Sequence, residues 1–295
     1  MHNAITDVPG VLVGHTTVRR PPEIHTGVTA IVPAGIGPHH PVPAGLFVGN
    51  GFGKLVGATQ LAELGLLESP VVLTSTLSAF RAADALVTWM LDQPENADVT
   101  TFNPVVGECN DGYLSDIRAR PVTEAHVLDA IATAAPGPVE QGCVGAGTGT
   151  VALGYKAGIG TASRRLGEHT LGVLVQANFG GTLRRQPSPD PTDDAGSCVI
   201  VAATDLPLDA RQLGRLARRL VFALGRVGAA YAHGSGDYGI AFATTRGQPV
   251  ADADLSPLFE AALDATEEAV LNSLLAATTT TGRLGRTRKA LVPPP

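Results

Sequence analysis

The residue pair with the clearest chemical potential is Gly196-Ser197. It stands where a proline- and aspartate-rich stretch, residues 181–196, meets the apolar run Cys198-Val199-Ile200-Val201. A serine that opens a buried strand, directly after glycine and a pliable segment, has what intramolecular peptide cleavage requires. Its hydroxyl attacks the carbonyl of the residue before it. Glycine there leaves the carbonyl uncovered and allows a strained backbone. Hydrolysis of the resulting ester frees serine as a new N-terminus. Its α-amine, with a reference pKa of about 7.7–8.0, can then serve as general base for the hydroxyl beside it. An ordinary loop-to-strand turn has the same local sequence, so the rest of the chain must separate the two.

The elements that would position this junction are short. Apolar and β-branched runs predict strands at Val11–Val13, Val28–Val32, Val71–Thr74, Thr170–Gln176, Cys198–Thr204 and Tyr238–Thr244. The clearest helix is Asp209–Val227, with Asp209 and Gln212 spaced as a capping box and Leu213, Leu216, Leu220, Leu224 and Val227 on one face. A second helix is predicted to begin at Ser256-Pro257. Further helices are expected at Lys54–Leu64, Ala79–Met90 and Thr123–Ala134. Strands and helices alternate throughout, so the expected class is a layered α/β or α+β domain.

Composition bounds the function. Of 295 residues, 44% are hydrophobic and 16% charged, which supplies a substantial core and argues against disorder. A formal net charge of −6 disfavours nucleic acid or an anionic membrane as partner. No apolar run approaches the roughly 20 residues of a membrane helix, and Met1–His15 lacks the features of a signal peptide. A cytoplasmic protein is expected. Cys109, Cys143 and Cys198 match no disulfide or zinc spacing and are expected to be core thiols in a reducing compartment.

Other motifs offer chemistry less well. His39 and His40 are adjacent in a proline-rich stretch with no third ligand at a sensible spacing, so no metal is expected. Gly49-Asn50-Gly51-Phe52-Gly53-Lys54 lacks one spacer residue of a phosphate loop, and Leu55 stands where its magnesium-binding hydroxyl would be. Gly145–Gly149 does not have dinucleotide-binding spacing. Thr278–Thr281 is expected to be a connection.

A series of motifs in fixed order gives Gly196-Ser197 its context. The chain opens with Ile5-Thr6-Asp7-Val8-Pro9-Gly10-Val11-Leu12-Val13-Gly14-His15-Thr16. Asn103-Pro104-Val105-Val106-Gly107-Glu108 and Asn110-Asp111-Gly112 follow, then Gly147-Thr148-Gly149 and Gly158-Ile159-Gly160-Thr161-Ala162-Ser163. Val175-Gln176-Ala177-Asn178-Phe179-Gly180, Ala203-Thr204-Asp205 and His233-Gly234-Ser235-Gly236-Asp237 complete the series. Over nearly its whole length the chain resembles the self-processing family of L-aminopeptidase/D-Ala-esterase/amidase enzymes and β-peptidyl aminopeptidases.

The resemblance implies an α+β fold, a four-layer αββα sandwich of the type shared with the ornithine acetyltransferases. It implies a single hydrolase domain over 1–295 that cuts itself into an α chain, Met1–Gly196, and a β chain, Ser197–Pro295. The family nucleophile maps onto Ser197. A second serine and an acid map onto Ser235 and Asp237, which alternation would place on one face of a strand, where both could orient and polarise Ser197. Aspartate is shorter than the glutamate of other members. The oxyanion asparagine maps onto Asn178, which is otherwise a turn asparagine before Phe179-Gly180-Gly181. The carboxylate that receives the substrate amine maps onto Glu108, and a tyrosine that assists the oxyanion in some members has Asn110 or Tyr113 as its counterpart. His233 suggests a Ser-His-Asp triad, but an N-terminal nucleophile needs no histidine, so a structural role is expected. The implied substrate is a small peptide, amide or ester, with no metal or organic cofactor. A homo-oligomer, a tetramer of αβ units, is also implied. Two alternatives are an acyltransferase of the ornithine acetyltransferase type, whose nucleophile is threonine, and a processing-defective relative acting as a ligand-binding or scaffold protein.

Overall fold

The computed structural model describes residues 1–184 and 196–291. Most of the stretch 181–196, with Asp193 and Asp194, lies outside the described residues. In chain order the elements are strands β1 (Val11–Arg20), β2 (Ile24–Pro33) and β3 (Val42–Gly51), helix α1 (Ala58–Glu63), strands β4 (Leu66–Leu67) and β5 (Val71–Ser75), and helix α2 (Ala79–Leu91). Strand β6 (Val105–Cys109) and helix α3 (Glu124–Ala132) follow, then the short pair β7 (Val151–Ala152) and β8 (Tyr155–Lys156). The chain continues through β9 (Ile159–Leu166), β10 (His169–Asn178), β11 (Gly196–Thr204), α4 (Ala210–Val227), β12 (Ser235–Ala243) and α5 (Ser256–Leu275).

Strands β2, β5, β6, β11 and β12 are buried along their whole length, as strands covered on both faces must be. Two sheets hold them. A four-stranded sheet has the order β1-β2-β5-β6, and a six-stranded sheet the order β4-β3-β12-β11-β10-β9. Helices α2 and α3 cover the first sheet and α4 and α5 cover the second, which makes the αββα sandwich. Between the sheets lies one core, with Leu73 on one side and Val199, Val201, Ile240 and Phe242 on the other. A second core lies between the six-stranded sheet and its helices. The sheets approach closely at Gly107, where an added Cβ would fall 2.9 Å from Val199 Cγ1.

Helix α4 shows how local sequence and packing agree. Gln212 N donates to Asp209 Oδ1 at 2.7 Å, closing the predicted capping box, a cap that contributes about 1 kcal/mol. Leu213, Leu216, Leu220, Leu224 and Val227 are all buried, at about 1.5–3 kcal/mol each. Gly228, with φ +105, ends the helix in the left-handed conformation that a Cβ would penalise.

The predicted strands all appear, extended by several residues at some ends. Of the strands not predicted, the two-residue β4, β7 and β8 are too short for a periodic signal, and the longer β3, β6 and β9 were hidden in glycine-rich motifs. In β3 the glycine serves packing: a Cβ on Gly45 would fall 2.2 Å from Gly214 N, so the strand touches the backbone of α4. The expected helix Lys54–Leu64 shortens to α1, because Gly57 at φ +83 caps its start and the preceding loop is tied to β6. Helix α5 includes Ser256 as its first residue, with Leu255 at the N-cap. Cys109 and Cys198 are core thiols, but Cys143 is half-buried and accepts from Thr278 N at 3.4 Å. No described helix is long and apolar enough to cross a membrane.

Candidate active site

Ser197 is the second residue of β11 and only 3% exposed. It pairs with Asn178 at the end of β10 and with Gly236 of β12. Directly paired residues project to the same side of a sheet. Ser197 and Asn178 therefore face inward, with Val199, Val201 and Tyr238 of the inter-sheet core. The Ser197 hydroxyl donates to its own neighbour, the Gly196 carbonyl oxygen, at 2.7 Å. Nucleophile and candidate scissile carbonyl are thus already in contact.

Glycine at 196 is required for a different reason than expected. Its φ is not in the left-handed region, so backbone freedom is not what selects it. A Cβ there would fall 2.7 Å from Phe179 Cα and 2.8 Å from Asn178 O. No side chain fits at 196 against the end of β10.

Asn178 is extended backbone at a strand end, not a left-handed turn residue. Its Oδ1 accepts from Val151 N at 3.0 Å, and its Nδ2 donates to Asn110 O at 3.1 Å. The amide is thereby oriented, with its donor end toward the loop after β6.

Ser235 and Asp237 do share a face, and Ser235 Oγ donates to Asp237 Oδ1 at 2.8 Å. Register sets which face. Ser235 pairs with Gly196, and Asp237 with Cys198, so both project to the side opposite the Ser197 hydroxyl. The dyad therefore lies on the outer face of the strand pair that carries Gly196 and Ser197. Burial raises the Asp237 carboxyl above the usual range, against the lowering effect of the Ser235 bond, and Oδ2 has no partner. Asn50, which pairs with Asp237, braces the entry to β12: its Nδ2 donates to the carbonyls of Ala232 at 3.2 Å, His233 at 2.9 Å, and Ser235.

Glu108 reaches the same space from β6 and is 1% exposed. Its Oε1 accepts from Lys54 N at 2.9 Å, with Lys54 Nζ at 3.8 Å, while Oε2 is buried without a hydrogen-bond partner. A buried, unpartnered carboxylate oxygen is costly unless a ligand completes it. The Tyr238 ring stands beside it. Burial and the Glu108 and Asp237 carboxylates push its phenol up to about 12, so it stays a neutral donor.

Tyr113 points elsewhere. Its hydroxyl accepts from Arg288 Nη1 at 2.7 Å, and the guanidinium groups of Arg288 and Arg286 lie 4.0 and 5.2 Å from its ring centre. Of the two residues left open after Glu108, Asn110 is the one whose main chain borders Asn178. Two neighbours carried no role in the sequence reading. Tyr238 follows Asp237 directly and was absorbed into a strand pattern. Asp111 is buried, with its carboxyl pushed up to about 6 by burial and held by Ser75 Oγ at 2.9 Å. Among the described residues no group of His, Cys, Asp and Glu is placed to hold a metal ion.

An αββα sandwich with a buried serine at the head of a central strand is the architecture of a serine N-terminal-nucleophile hydrolase, and this chain is one, of the aminopeptidase and amidase class. It belongs to Peptidase family S58, whose profile matches residues 3–288. Beta-peptidyl aminopeptidase BapA of Sphingosinicella microcystinivorans is 38% identical over 340 residues, 98% of this chain and 85% of that one. The PH0078 protein of Pyrococcus horikoshii OT3 superposes with a TM-score of 0.90 at 42% identity, over 98% of this chain and 91% of the other. The L-aminopeptidase D-Ala-esterase/amidase of Ochrobactrum anthropi, described as a variant of the Ntn hydrolase fold, gives a TM-score of 0.88 at 37% identity over 99% and 91%.

Proposed function

We propose that the chain cuts itself between Gly196 and Ser197 and then uses Ser197 to release N-terminal residues from short peptides, amides or esters. The observation that supports this most is the 2.7 Å contact between the Ser197 hydroxyl and the Gly196 carbonyl oxygen. In the first step Oγ adds to the Gly196 carbonyl carbon and the peptide nitrogen leaves, giving an ester and a free amine. Water then hydrolyses the ester, leaving Gly196 as a carboxylate.

In turnover the freed amine of Ser197 accepts the hydroxyl proton as Oγ attacks the substrate carbonyl. Asp237 and Ser235 hold that amine and relay the proton to the leaving group. Asn178 turns its Nδ2 to the oxyanion. Glu108 Oε2 receives the substrate ammonium, which confines attack to the first residue. Tyr113, engaged with Arg288, takes no direct part. The acyl group stays on Ser197 until water releases it. The molecule works as a tetramer of αβ units in the cytoplasm. The acyltransferase alternative is not favoured, since the nucleophile position holds serine, and an intact set of site residues argues against a scaffold role. Rapid quenching with a slowly hydrolysed ester should add the acyl mass to the chain beginning at Ser197; a product burst with no adduct would remove the acyl-enzyme.

A further inference from the structure

Two aromatic rings stand exposed beside the loop that borders Glu108. Phe52 is 60% exposed, and its ring centre lies 5.9 Å from that of the exposed His233, tilted by 54°. Neither ring contributes to a core, and the two together offer an exposed face on which a ligand's ring could pack.

The backbones that carry them are fixed against the reacting groups. A Cβ on Gly236, the strand partner of Ser197, would fall 2.8 Å from Phe52 O and 3.2 Å from Gly53 Cα. A Cβ on Gly53 would fall 2.7 Å from the Tyr238 hydroxyl and 3.1 Å from Glu108 Oε1. The next residue donates its N–H to Glu108. The 52–54 loop thus runs between β12, the neighbour of the nucleophile strand, and the carboxylate. His233 is held from the other side, its carbonyl accepting from Asn50.

A substrate with its ammonium at Glu108 and its carbonyl at Ser197 has its first residue pinned across this loop. We propose that Phe52 and His233 form the side-chain subsite for that residue, and that it selects aromatic and bulky apolar N-terminal residues. Selection comes from covering the substrate side chain and from offset or edge-to-face ring contacts. This subsite rests on the reaction proposed above.

The test compares kcat/KM for phenylalanine p-nitroanilide with that for glycine p-nitroanilide. Phe52→Ala should lower the phenylalanine-to-glycine ratio about tenfold, mainly through KM, with His233→Ala lowering it about threefold and Phe52→Tyr preserving it. Cleavage of each variant into two chains, read by mass, controls for folding. A wild-type enzyme active on both anilides, with variants whose two rates fall in parallel or do not change, overturns the subsite alone. A wild-type enzyme inactive on both overturns the reaction and the subsite with it.

Discussion

At the head of β11 and β12 the two faces of the second sheet hold different chemistry. The inner face presents the Ser197 hydroxyl, the Asn178 amide and the Tyr238 phenol, with Glu108 reaching across from the first sheet. The outer face presents Ser235 and Asp237, bonded to each other at 2.8 Å. A parallel pairing that sets Ser235 opposite Gly196, one residue before Ser197, produces this division. In the proposed reaction the inner face would meet the carbonyl of the Gly196–Ser197 bond and the outer face the amine released from it. The inner face should therefore govern attack and substrate capture, and the outer face the amine and its proton.

Substitutions can break or sharpen that division. The largest effect is expected from Ser197→Ala, which should abolish both chain cleavage and anilide hydrolysis; a cut, active variant would remove the nucleophile. Ser235→Ala should lower kcat by about 10²–10⁴ through loss of proton transfer at the amine, with KM little changed, in a steady-state assay on cut protein. Glu108→Gln should act in the opposite sense, raising KM about a hundredfold by removing the charge that pairs with the substrate ammonium. If both variants altered kcat and KM alike, the two faces would not divide the work.

The smallest effect is on stability. Asp111 titrates at about 6 against a reference of 3.8, chiefly because burial disfavours its charge. The folded chain therefore binds this proton more tightly than the unfolded one. The stability this group contributes is present below about pH 4, falls as pH rises to about 6, and stays reduced above that. Asp111→Asn should flatten this slope and raise stability at pH 7 by about 1–3 kcal/mol, read from urea midpoints at pH 4 and pH 7.

Much of this was legible in the sequence. The period of Leu213, Leu216, Leu220 and Leu224 and the cap at Asp209 defined α4, and the run from Cys198 defined β11. The residue types at 197, 235, 237, 178 and 108 were legible as well, through motif order. The face each residue takes was not. Alternation puts Ser235 and Asp237 together, but the side they share relative to Ser197 depends on the register between two strands separated by α4. Gly196 misled for a related reason. It looks like a point of backbone freedom, yet it is needed where the backbone of β10 comes too close for a Cβ. Gly49–Lys54, rejected as a phosphate loop and expected from the resemblance to be a close-packed turn near the active-site cleft, is the end of β3 and the loop that brings Lys54 N to Glu108.

Self-cleavage is the claim on which the rest depends, and a denaturing intact-mass spectrum of the purified protein tests it most directly. Two chains are predicted, together weighing the full 30.2 kDa chain plus one water, with the smaller beginning at Ser197. A single uncut species that nonetheless hydrolyses anilides would contradict the account.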